Sequence, residues 1–203
     1  MPPQGFRLET VTEIKRSRFI TTLARANTEA QARALVAEVR SGFPDARHHC
    51  LAFILDEAGV RTARSSDDGE PAGTAGMPML NSLIGAGLVN TCAIVTRYFG
   101  GIKLGASGLT RAYGNCVAEA AAQVPRVEPR ILPVWRILVP HAEAGRIQEE
   151  LLRAGGQLVS VDYTGSGVHL DFTADEPVPL VARISQGRLH PEPQGQLRLE
   201  VAL

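Results

Sequence analysis

Between Pro71 and Ala118 the chain carries no acidic residue, and within that stretch a strand pattern runs through a glycine-rich loop into a helix pattern. Thr91 to Tyr98, with Ala93-Ile94-Val95 at its centre, predicts a buried strand. Gly100, Gly101, Gly105 and Gly108 then permit backbone conformations closed to other residues. Past the loop, Leu109, Ala112, Tyr113, Cys116, Val117, Ala120, Ala121 and Val124 recur at the helical period. Ser107 is the expected N-cap of that helix. The region therefore reads as a strand, a glycine loop and a long amphipathic helix.

The loop also gathers charge. Arg97, Lys103 and Arg111 are its cations, and Tyr98 and Phe99 adjoin them. A helix N-terminus attracts anions, and a guanidinium fork suits phosphate. The expected site is therefore a phosphate or RNA-backbone site built from Arg97, Tyr98, Gly100, Gly101, Lys103, Gly105, Ser107 and Arg111. Strand alternation leaves at most one of Tyr98 and Phe99 free to stack on a base. The loop lacks the Gly-Lys-Ser/Thr triplet of a P-loop and the glycine spacing of a dinucleotide fingerprint.

Just before the acid-free stretch lies Ser66-Asp67-Asp68-Gly69-Glu70-Pro71. Asp67, Asp68 and Glu70 read as a turn whose acids hold nearby arginines or form a wall opposite the cations. The residues do not follow a calcium-loop pattern. His48 and His49 open a strand and point to opposite faces, so they do not serve one metal together. No catalytic residue, metal set or cofactor is expected.

Elsewhere the patterns are ordinary. Phe6 to Ala24 predicts two strands, with Ile14-Lys15-Arg16-Ser17-Arg18-Phe19-Ile20 a basic turn leading into the second. Thr28 and Gln31 form a capping box for a helix ending at Gly42. Cys50–Leu55 and Val60–Ala63 predict a hairpin across Asp56-Glu57-Ala58-Gly59. A helix is expected from Pro78 to Gly87. Val124 to Arg130, with two prolines, reads as a linker. After it come a strand (132–139), a helix (142–154), a hairpin (157–163 with 168–173), a helix (178–186) and a strand (196–203). That βαββαβ order predicts a ferredoxin-like sandwich. The expected domains are 1–127 and 131–203.

The formal charge is zero, which supplies no global nucleic-acid or membrane signature. Residues 1–130 hold 15 Lys+Arg against 12 Asp+Glu, while residues 131–203 hold 6 against 9. This asymmetry, +3 against −3, is small. Three widely spaced cysteines fit a reduced cytosol. No apolar run approaches the roughly 20 residues that span a bilayer, and the N-terminus is not that of a signal peptide. The expectation is a soluble cytoplasmic protein with no membrane partner.

The acidic turn continuing through Pro71-Ala72-Gly73-Thr74-Ala75-Gly76-Met77-Pro78, and Arg97 through Tyr113, resemble the signature of the IMPACT/YigZ family. Lys15 to Ile20 and His49-Cys50 fit its earlier pattern. The resemblance implies an N-terminal α+β domain like the second domain of ribosomal protein S-five and the fourth domain of elongation factor G. It implies a ferredoxin-like second domain. Eukaryotic relatives regulate translation by competing for the activator of a stress-responsive initiation-factor kinase, and they carry a different extra domain, which is not expected in this chain. The leading expectation is a translation-associated binding protein that contacts RNA or the ribosome. The alternatives are a protein-interaction regulator and an enzyme acting on a phosphorylated small molecule.

Overall fold

The computed structural model describes residues 1–57 and 59–203. Ala58, in the expected Asp56–Gly59 turn, lies outside the described residues. Two units are present: Met1–Glu128 with Ala202–Leu203, and Pro129–Val201.

In the first unit, β1 (Arg7–Ile14) and β2 (Ser17–Arg25) form a hairpin. Its two turn residues, Lys15 and Arg16, have φ of 48° and 66°. Left-handed conformations at both central positions match the twist of a two-residue hairpin. β3 (His48–Glu57), β4 (Val60–Ser66) and β5 (Thr91–Tyr98) complete an antiparallel sheet of order β1-β2-β5-β3-β4. Every residue of β5 except Tyr98 is buried, as its apolar run predicts.

Alternation along β5 sends its side chains to two cores. Cys92 and Ile94 pack with Ala32 and Val39 of α1 (Glu29–Gly42). Ala93 and Val95 pack on the opposite face, against α2 (Gly76–Gly85) and α3 (Ala106–Ala121). The sheet is thus covered on both faces. α1 starts at its expected cap: the Thr28 hydroxyl accepts from the Gln31 amide at 3.2 Å. The Gln31 side chain returns to the Asn27 amide, one residue before the usual capping-box partner.

Two helix starts differ from expectation. α2 begins at Gly76 rather than Pro78, because a distant carboxylate caps it. Asp67 Oδ1 accepts from the Ala75 and Gly76 amides at 2.9 and 2.8 Å. α3 is capped not by Ser107 but by Gly105, whose φ of 74° brings the chain into the helix with no side-chain cap. Ser107 is an exposed residue of the first turn.

The second unit contains most of β6 (Val127–Val139), a 3-10 turn (His141–Glu143), α4 (Ala144–Arg153), β7 (Gln157–Thr164), β8 (Gly167–Thr173), α5 (Pro177–Ser185) and β9 (Glu192–Ala202). The sheet order is β7-β8-β6-β9. Its core joins Ile137, Val139, Leu170 and Phe172 to Ile147 and Leu151 of α4 and to Val181 and Ile184 of α5.

The expected linker is corrected in part. Residues 127–130 belong to β6, despite Pro129. The chain just before Pro129 is tied by its own termini: the Val127 amide donates to the Met1 carbonyl at 2.9 Å, and the Leu203 amide to the Arg126 carbonyl at 3.0 Å. Local composition does not reveal partners so far away in sequence.

Candidate functional site

Gly100 fixes the entrance of the loop. A Cβ there would lie 2.0 Å from the carbonyl carbon and oxygen of Arg16. Only glycine lets the loop touch the β1–β2 turn this closely. The Ser17 hydroxyl accepts from the Gly100 amide at 3.2 Å. The basic turn and the glycine loop, far apart in sequence, are therefore neighbours. Gly101, at φ 86° with open space around it, supplies the left-handed step that follows.

Beneath the loop sits a buried polar cluster. Arg97 shares the parity of Ala93 and Val95, so its side chain faces the α2–α3 side. There its Nη1 donates to Glu70 Oε1 at 2.7 Å. The Tyr113 hydroxyl donates to the same oxygen at 2.7 Å. The Arg97 guanidinium lies between the rings of Phe19 and Phe99, 5.5 and 5.6 Å from their centroids. Arg97 Nε finds no partner among the described residues. Burial pushes the Tyr113 phenol far up, helped by Cys50 and Glu70, so it stays a proton donor to Glu70.

The other two acids of the turn are also structural. Asp67 accepts three backbone amides, from Gly73, Ala75 and Gly76. Burial pushes its carboxyl up, but these donors more than offset that and hold it below the ordinary value. Asp68, at φ 43°, accepts from the His49 amide at 2.6 Å and pairs with Arg40. It too lies below its ordinary value, with burial again opposed by its donors. His48 faces outward with Nδ1 2.9 Å from the Asp68 carbonyl oxygen. His49 is buried, 3.0 Å from the Thr96 hydroxyl, and burial lowers its pKa.

Above this floor opens a cleft of about 630 Å³, lined by Asp45, Arg47, His48, Glu70, Pro71, Arg97, Tyr98, Phe99, Lys103, Leu104, Gly105, Ala106 and Leu109. Of the expected site residues, Arg97, Tyr98, Lys103, Gly105 and Glu70 meet there. Gly100, Gly101, Ser107, Arg111, Asp67 and Asp68 are not in its lining. Arg97 is a floor residue, charge-paired and only 6% exposed, not a free surface cation. Arg111 is exposed on the second turn of α3.

Neither aromatic enters the core: Tyr98 ends β5 half-buried, and Phe99 lies just beyond the strand. Tyr98 is engaged: its hydroxyl donates to Asp45 at 2.7 Å, and Arg18 lies 4.8 Å over its ring. Phe99 is 56% exposed. The first turn of α3 contains no acid. The exposed cations Lys103 and Arg47 have no ion-pair partner among the described residues. Sequence reasoning missed Arg47 and Asp45; the available signal was the polar run Asp45-Ala46-Arg47-His48 directly before β3.

The Impact N-terminal domain family matches residues 15–121, from the basic turn to the last residue of α3. The IMPACT family member YvyE of Bacillus subtilis is 40% identical over 151 residues, covering 74% of this chain and 69% of its own. The chain belongs to the IMPACT family. Within the family, YigZ of Escherichia coli is 42% identical over 156 residues, covering 75% of this chain and 76% of its own. The crystal structure of a hypothetical protein superposes with a TM-score of 0.55 at 36% identity, covering 94% of each chain. The IMPACT match includes the acidic turn, the basic turn, the glycine loop and every residue that lines the cleft.

Proposed function

We propose that this IMPACT-family protein is a translation-associated binding protein that contacts RNA phosphates through the cleft at the head of α3. The observation that carries the reading is the company of Lys103 and Arg47 beside a helix start without acids, in one cleft. Unpaired cations and free first-turn amides are the groups that meet phosphate oxygens. Lys15 and Arg16 extend the same charge: both are exposed at the hairpin tip that touches Gly100. The βαββαβ order of the second unit, with sheet order β7-β8-β6-β9, supports a ferredoxin-like assignment. The antiparallel sheet and helices of the first unit support kinship with the ribosomal-protein S-five domain. A cytoplasmic setting belongs to the same reading, supported by three free, buried thiols; among the described residues no helix is long and apolar enough to cross a membrane.

The test is fluorescence anisotropy with a mixed-sequence RNA at about 50 and about 200 mM salt. The parent should bind with a log–log salt slope of several charges. Arg47→Ala with Lys103→Ala should reduce that slope by about 1.4, two single-strand phosphate contacts. Equal slopes for parent and variant would sink the reading, as would no binding at either salt.

The exposure of Phe99 and Ile102, 56% and 42%, favours a second reading, in which the same cationic surface grips an acidic protein segment. An acidic, leucine-containing peptide that displaced RNA, or bound where RNA did not, would favour it.

A further inference from the structure

We infer that the cleft is selective for single-stranded RNA and that Phe99 is the platform on which one unpaired base stacks. The inference rests on the RNA reading above and specifies the form of the ligand.

A lone exposed phenylalanine is unremarkable by itself. The setting of Phe99 is what distinguishes it. The core aromatics Phe19 and Tyr113 are fully buried against each other, edge to face with centroids 5.3 Å apart. Phe99 stays 56% exposed, and Arg97 holds its ring from beneath, 5.6 Å from guanidinium to centroid. Arg97 is itself fixed by Glu70, so the ring rests on a rigid support. Further cations come from two separate elements. Lys103 lines the same cleft four residues on. Gly100, the neighbour of Phe99, abuts the backbone of Arg16, an exposed residue of the basic turn.

An exposed aromatic face in a cationic cleft is the pattern that holds a strand whose bases are free to leave the stack. The flat ring takes a base without regard to its identity, and the cations take the phosphates on either side. In a duplex the bases are paired and stacked inside, and the ring has nothing to stack on. Tyr98 is less exposed than Phe99, and its hydroxyl is held by Asp45.

The experiment titrates the full chain with a labelled mixed-sequence oligoribonucleotide, and with the same oligonucleotide annealed to its complement. Parent, Phe99→Ala and Phe99→Trp are compared. The single strand should bind the parent at least about 5-fold tighter than the duplex, and Phe99→Ala should remove that preference while leaving duplex affinity unchanged. The single strand should also quench the emission of Phe99→Trp beyond any change in the parent, whose one tryptophan, Trp135, lies in the second unit. If the parent binds both forms alike and Phe99→Ala changes neither, the stacking proposal falls and the phosphate reading stands. If the parent binds neither form, both fall. If Phe99→Ala weakens both forms equally, the ring only supports Arg97, and an unquenched Phe99→Trp then overturns the proposal.

Discussion

Arg97 and Glu70, 27 residues apart in sequence, meet at 2.7 Å with side chains only 7% and 4% exposed. Their pairing clamps the acidic turn to the end of β5, and the Tyr113 hydroxyl ties the same carboxylate to α3. The acidic turn and both ends of the Arg97–Tyr113 segment of the IMPACT signature thus meet at one oxygen atom. Such a pair adds little net stability over apolar packing, but losing one partner strands a buried charge.

Glu70→Ala should therefore destabilise the protein by about 3–5 kcal/mol. Urea unfolding of parent and variant measures this. A loss under about 1 kcal/mol, the level of an exposed pair, would mean that Arg97 is not held as described.

Gly100→Ala should cost about 1–3 kcal/mol, because the new methyl must displace the Arg16 backbone. Gly101→Ala meets no atom within 4 Å and should cost only its left-handed backbone, about 1 kcal/mol. Thermal melts of the two variants should rank them in that order. The reverse order would remove the contact between basic turn and glycine loop from the account.

Stability should fall on acidification in two limbs. Burial holds His49 below its ordinary 6.5, so the folded state binds fewer protons than the unfolded one. Its contribution is whole above pH 6.5 and declines as pH falls through that value. Asp67 and Asp68 lie below their ordinary 3.8, so their contribution is present above it and is lost as pH falls through their lower folded values. Denaturation across the pH range should show both limbs. Asp67→Asn should shrink the lower one and leave the upper one in place; an unchanged lower limb would refute the role of its three amide donors.

The thiols should be silent in the native protein. Burial pushes Cys50 and Cys92 up to about 12 and Cys116 to about 11, and none is exposed. Thiolate reagents near neutral pH should label none of them until the chain unfolds, with a rate that tracks denaturant. Labelling without denaturant would contradict the burial.

The legible parts of this fold are those set by residues close in sequence. Thr28 and Gln31 mark the start of α1 because a cap acts within one turn. Thr91 to Tyr98 reads as β5 because a strand buried on both faces carries an unbroken apolar run at its centre, here Ala93-Ile94-Val95. The acid-free loop and the IMPACT signature are likewise plain in the letters. The parity of Arg97 with Ala93 and Val95 was a usable sign that its side chain turns inward, but its cationic character spoke for the surface instead.

What the chain alone determined was the periodicity of its elements, the glycine loop at a strand–helix junction, and its family. Tertiary structure decided which polar groups meet. Asp67 starts α2 from nine residues away, Glu70 takes Arg97, the Lys15-Arg16 turn lands on Gly100, and the chain termini tie down the segment before Pro129. Periodicity reports which face of an element is apolar. It carries no record of the distant partner a charge or an amide will find once those faces have packed, and that choice leaves Phe99 open and Arg97 closed.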